Sequence, residues 1–146
     1  MPAYPGAANS TVSPTIPPTI LYPGGDSGVA FNSENVAAPE ASVAFQTDMC
    51  PGGQQQGIFV EIQFSANPGA FTCNIQEADT DNDSAYVTPS ASAYTLTTAA
   101  QGGVNATGGW RVRSDLIPTG GKFTRLLVPT GGNPNGVNWL AKITRP

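Results

Sequence analysis

The stretch Gly57-Ile58-Phe59-Val60-Glu61-Ile62-Gln63-Phe64-Ser65 carries an apolar side chain at every even position through Phe64. A repeat of two is that of an extended chain, so these residues predict a strand with one buried face. Asn67-Pro68-Gly69 then supplies a turn, and Phe71, Cys73 and Ile75 line up in the next run, so the two together read as a hairpin. Shorter runs of the same kind predict strands at Val29–Phe31, Val43–Thr47, Ala85–Thr88, Tyr94–Thr98, Trp110–Ser114, Phe123–Val128 and Val137–Ile143. Clusters such as Pro118-Thr119-Gly120-Gly121 and Gly131-Gly132-Asn133-Pro134-Asn135-Gly136 break the runs at intervals of roughly 8–15 residues. No window of helical length shows a 3.6-residue apolar stripe. The expected fold is all-β: an antiparallel β-sandwich, jelly-roll-like, of about eight or nine strands.

Size and composition agree. A chain of 146 residues suits a single core, and one with 11% charged residues, 17 Gly and 14 Pro has the balance of a sandwich rather than of helices. Residues 1–25 differ from the rest. Pro2, Pro5, Pro14, Pro17, Pro18 and Pro23 fall there, and Pro17-Pro18 is flanked by Ile and Thr rather than by charges. Such a segment favours an extended, polyproline-like backbone and has no core of its own. It is expected to be an arm on a sandwich domain spanning 26–146, held either by a neighbouring subunit or by its own domain. Pro14, Ile16, Pro17, Pro18, Ile20 and Tyr22 are its candidate contact residues.

Charge narrows the partners. The net charge is −4, and the six basic residues all fall between Arg111 and Arg145 without forming a basic face, so nucleic acid is not an expected partner. No run approaches the ~18 apolar residues of a membrane helix, and the first residues lack the cationic and apolar parts of an export signal. Cys50 and Cys73 could form one disulfide at most. Cys73 sits at an apolar position of its run and is expected to be a small buried hydrophobe. Without an export signal, the thiols are expected to remain reduced.

Several motifs tempt a catalytic reading. Gly25-Asp26-Ser27-Gly28 imitates the neighbourhood of a nucleophilic serine, but that chemistry needs a general base, nearly always histidine, and the chain has none. Gly120-Gly121-Lys122-Phe123 imitates the end of a phosphate-binding loop, yet Phe123 stands where a magnesium-holding hydroxyl belongs, so it reads as a turn feeding a strand. Glu61 and Glu77 could pair for glycoside hydrolysis, but solvated sheet surface is the more economical account. No enzymatic activity is expected.

Asp79-Thr80-Asp81-Asn82-Asp83 has more chemical content, because carboxylates at alternate positions can converge on a hard cation such as calcium. Asp79, Asp81 and Asp83 are the candidate ligands. Ser84 and Ser90 replace the glycine and the bidentate glutamate of an EF-hand loop, and a solvated turn capped by Asx side chains is the competing account. No other cofactor is expected. Arg111 and Arg113 alternate with Trp110 and Val112, which puts both guanidinium groups on one face, about 7 Å apart, where they could meet carboxylates of a partner.

The segments Phe64–Phe71, Gln76–Thr88 and Gly121–Val128 together resemble small proteins that tailed bacteriophages encode beside their major capsid protein, and the resemblance extends over roughly residues 57–145. Members of that group whose role is understood are head decoration, or cement, proteins with a jelly-roll-like fold. The resemblance implies a virion structural protein on the outer surface of an icosahedral capsid, assembled in the host cytoplasm. It would bind the major capsid protein, form a homo-oligomer on the shell and stabilise it by bridging capsomers. The alternative is a receptor- or glycan-binding β-sandwich of a head fibre or tail, for which Tyr86 and Tyr94 near the aspartate loop would supply the aromatic platform.

Overall fold

The structure is a computed structural model that describes residues 18–50, 56–98 and 110–146. Its strands are β1 (Thr19–Ile20), β2 (Ser27–Asn35), β3 (Glu40–Ala41), β4 (Phe45–Gln46), β5 (Phe59–Phe64), β6 (Thr72–Ala78), β7 (Thr95–Thr97), β8 (Trp110–Arg113), β9 (Phe123–Val128) and β10 (Asn138–Thr144). One-turn 3₁₀ helices lie at Asp83–Ala85 and Ser92–Tyr94. No helix among the described residues is long and apolar enough to cross a membrane.

Pairing follows a nested order. β2 pairs with β10, β3 and β4 with β9, β5 with β8, and β6 with β7, all antiparallel. The chain is thus folded back on itself about the β6–β7 connection. Two further pairings, β10 with β5 and β9 with β6, roll that long ribbon into two sheets, β2-β10-β5-β8 and β1-β4-β9-β6-β7. First-with-last nesting wrapped across two sheets is jelly-roll topology, and the all-β sandwich expected from the alternation is what forms.

The alternation also fixes what lies between the sheets. Val60, Ile62 and Phe64 of β5 point inward, as do Leu126 and Val128 of β9 and Trp139, Ala141 and Ile143 of β10. Trp139 meets Phe31, Phe64 and Phe71 edge-on, with ring centroids 6.2, 5.2 and 5.7 Å away, a geometry that sets the positive edge of one ring against the negative face of another.

Two expectations fail locally. The runs around 57–65 and 71–75 are not a hairpin: β5 and β6 lie in opposite sheets, and Asn67-Pro68-Gly69 carries the chain across. Asn67 Oδ1 accepts the Gly69 N–H, and Gly69 takes the left-handed φ of 65° that turns the chain into the second layer. Phe64 and Phe71 then face each other from the two layers at 4.8 Å. Period-two patterning says which face is buried, not whether the next strand lies beside or opposite. Residues 85–88, expected as a strand, give only a single bridge from Val87 to Glu77, because Asn82 Oδ1 accepts both the Ser84 N–H and hydroxyl and winds the 3₁₀ turn there instead.

The sandwich also takes in more of the N-terminal segment than the expected boundary at 26. β1 pairs in parallel with β4, and Leu21 is buried with its N–H on the Gln46 carbonyl. Arg145, only 1% exposed, holds this segment from the other end of the chain. Its Nη1 donates to the Leu21 carbonyl at 2.7 Å and its Nη2 to the Met49 carbonyl at 3.1 Å. The Gly24 N–H donates to the carbonyl of Pro146. Burial lowers the Arg145 pKa, while Cys50 and Asp48 nearby favour the charged form. Of the expected arm contacts, Pro18 and Ile20 are half-buried in the sandwich, Tyr22 is 48% exposed, and Pro14, Ile16 and Pro17 lie outside the described residues.

Replacing Arg145 with Met should therefore cost about 2–4 kcal/mol in urea unfolding, since the buried Leu21 carbonyl and the partly buried Met49 carbonyl lose a charged donor. Hydrogen exchange at Leu21 should rise in the same variant. Trp139→Ala should cost about 3–5 kcal/mol by leaving a cavity at the ring cluster.

Candidate functional site

A cluster of polar side chains gathers where the 79–87 segment folds over the outer face of β6 and β9. Gln76 and Arg125 are directly opposite in the ladder, and Arg125 Nε donates to Gln76 Oε1 at 2.9 Å. The same guanidinium donates from Nη1 to Asp83 Oδ1 at 2.7 Å and lies 4.0 Å from the Tyr86 ring centroid. Tyr86 is buried and its hydroxyl donates to Asp81 Oδ1 at 2.7 Å. Burial first, then the hydrogen bond to Asp81, raises the Tyr86 pKa. The cluster pins the loop to the sheet through one arginine.

This use of the acids separates the candidate calcium ligands. Asp81 serves Tyr86, Asp83 serves Arg125, and Asp79 lies instead beside Glu77, Gly120 and Gly121. Among the described residues no three His, Cys, Asp or Glu side chains are grouped so as to hold a metal ion. The 3₁₀ turn capped by Asn82 is the physical reason, since it breaks the extended geometry that convergence from alternate positions needs.

The other motifs resolve into structural roles. Asp26 Oδ2 accepts the Tyr22 N–H and the Asp26 carbonyl accepts the Arg145 N–H. Gly28 lies against the Phe45 ring, where an added Cβ would come within 2.2 Å of a ring carbon. Gly120 and Gly121 do present their N–H groups to an anion, but the anion is Glu77, whose Oε1 accepts both. Glu61 stands exposed on β5 in the other sheet, so the two glutamates do not share a cleft.

Arg111 and Arg113 both project from the outer face of β8, as the alternation predicts. Glu61 lies between Arg113 and Lys142 in a row across β8, β5 and β10, and the Arg113 guanidinium sits 5.5 Å from the Phe59 ring. Tyr94 is buried, with its hydroxyl donating to the Pro118 carbonyl at 2.6 Å. Neither Tyr86 nor Tyr94 therefore offers an open ring face. Cys50 and Cys73 are not joined in a disulfide, and burial pushes the Cys73 thiol up to about 12.

An open groove of about 530 Å³ runs beside this cluster. Pro18 and Thr19 of the N-terminal segment, Val29 of β2 and the bulged residues 42–44 between β3 and β4 line it, with Asp81, Asp83 and Arg125 at its polar part. Alternation missed the groove because Val43, Phe45 and Thr47 share one parity. The bulge breaks that parity: Ser42 Oγ accepts the Leu126 N–H, and Val43 turns outward to 60% exposure while Phe45 and Thr47 stay buried. No family model, no curated protein and no solved structure matches this chain.

Arg125→Ala should lower stability by about 1–2 kcal/mol through loss of the Gln76 bond and the ring contact, whereas Asp83→Ala should leave the urea midpoint unmoved, because its carboxylate is solvated. Cys50 should label with a thiol reagent in the native protein and Cys73 only on unfolding. The raised Cys73 pKa makes its contribution full below the ordinary thiol value near 9.0 and progressively lost toward 12. Cys73→Val should therefore flatten part of the fall in urea midpoint between pH 8 and pH 11.

Proposed function

We propose that this protein is a non-enzymatic virion structural component that binds the outer surface of an icosahedral phage capsid and stabilises it by bridging capsomers. The observation that carries the reading is the fastening of the N-terminal segment. β1 is laddered to β4, and Arg145, rooted at the end of β10, holds the Leu21 carbonyl. A proline-rich extension anchored this way at the edge of a rigid sandwich can reach across neighbouring subunits, and linkage of two contact regions multiplies weak affinities. The resemblance of residues 57–145 to decoration proteins supports the same reading. So does the structural use of the tempting groups, with Glu77, Asp81, Tyr86 and Arg125 each committed to holding a loop or turn. Arg111 and Arg113, on the outer face of β8, are the candidate contacts to acidic patches of the major capsid protein.

The test is sedimentation of the purified full-length chain with phage capsids, followed by heating of the particles with and without it. Saturable binding at a fixed ratio to capsid protein and a raised temperature of particle disruption are expected. Arg111→Glu combined with Arg113→Glu should weaken binding about tenfold or more. A chain that neither sediments with capsids nor changes their disruption temperature would defeat the reading.

A further inference from the structure

We propose that the groove beside β1 is a docking site for the N-terminal residues of a second copy of this chain, with Thr11-Val12-Ser13-Pro14-Thr15-Ile16-Pro17 of one copy lying against Val43 and Val29 of another. This goes beyond the capsid reading and does not depend on it.

The groove's chemistry selects the occupant. Val43 is 60% and Val29 40% exposed, beside Pro18 and Ala44. The charged groups there are already bonded: Arg125 to Asp83 and Gln76, and Asp81 to the Tyr86 hydroxyl. What fits is an uncharged segment of aliphatic and hydroxyl side chains. Residues 1–17 contain no Asp, Glu, Lys, Arg or His, and residues 11–17 carry only Thr, Val, Ser, Pro and Ile.

The point of departure selects the copy. The segment joins the domain at Pro18, itself part of the groove wall. Pro14, Pro17 and Pro18 fix their own φ and restrict Ser13, Ile16 and Pro17 before them to extended backbone. No glycine occurs between Gly6 and Pro18, so a tight return into the groove of the same copy is disfavoured where it would have to begin. At about 3.1 Å per residue, residues 11–17 extend about 22 Å from Pro18, so the receiving groove must lie next to the donor's own β1, as it would where two copies set their grooves face to face. Every copy carries both the segment and the groove, so the exchange is self-complementary and can close into a dimer or ring.

The test uses full-length chains carrying Cys50→Ser, with Cys73 buried and left in place. One variant adds Ile16→Cys and the other Val43→Cys. Mixed and mildly oxidised, they should give a crosslinked heterodimer by mass spectrometry, while Ile16→Cys mixed with Ala70→Cys, outside the groove, should not. A single chain carrying both Ile16→Cys and Val43→Cys that closes only within itself would place the segment in its own groove and overturn the proposal. So would the absence of any adduct, or equal adduct with the Ala70→Cys control. In sedimentation, Val43→Asp and Ile16→Asp should each weaken self-association by more than about tenfold, since each would bury an unpaired carboxylate. Ile16→Asp lies outside the sandwich core and keeps the test valid if Val43→Asp fails to fold. Unchanged self-association in Ile16→Asp would count against the proposal. Capsid sedimentation is scored separately, so this inference and the capsid reading can fail independently.

Discussion

The strand that the rest of the molecule waits for is the last one. β10 lies between β2 and β5, pairing with residues 27–35 on one side and 59–64 on the other, so its sheet has no continuous ladder without it. It brings Trp139 into contact with Phe31, Phe64 and Phe71, which come from three separate stretches of chain. Arg145 follows directly and anchors Leu21, so closing the C-terminal strand also fixes the N-terminal segment. Contacts between residues more than a hundred positions apart carry a large loop-closure cost before they return any burial. Such a topology couples residues 19–24 and the C-terminal strand in one structural unit.

That coupling explains how a chain with few charges uses them. Arg125 lies over the outer face of β6 and β9, where Tyr86 and the 79–87 segment would otherwise have only weak purchase, and it engages a strand neighbour, an aromatic ring and an acid at once. Glu77 draws the Gly120–Gly121 turn onto the end of β6. Arg145 joins three segments through backbone carbonyls rather than through a carboxylate. In each case a guanidinium or carboxylate satisfies main-chain or amide groups that a loop would leave unpaired, and desolvation is offset by several hydrogen bonds per charge.

Much of the sandwich was legible because alternation is a local consequence of strand geometry. β9 falls on Phe123–Val128 as expected, and the inward parity of β10 holds from Trp139 through Ile143. Carried one step further, that parity also places Arg145 inside, the signal by which its burial could have been found. What alternation could not encode was the layer to which a strand belongs, hence the crossing at Asn67-Pro68-Gly69 where a hairpin was expected. It also failed wherever one residue disturbed the parity. Asn82 wound a turn through the expected strand at 85–88 and dispersed Asp79, Asp81 and Asp83, and the bulge at Ser42 turned Val43 outward. The groove depends on that bulge and on β1 reaching β4, a contact between distant segments that no local window contains.

The edge beside the groove shows why recognition there would run through side chains rather than through a further strand. β1 spans only Thr19 and Ile20, too short to template an extended ladder. The two residues before it, Pro17 and Pro18, have no N–H to donate, so the main chain cannot continue the pairing in that direction. On the neighbouring edge, β2 shifts register against β10 on either side of its middle, and Ser33 takes a positive φ of 53°, which twists that strand away from flat pairing. Both strands that flank the groove are thus unsuited to indiscriminate edge-to-edge association. Exposed apolar side chains between two blunted edges select for shape and size rather than for main-chain pairing, which is the kind of recognition that the proposed docking of residues 11–17 would require.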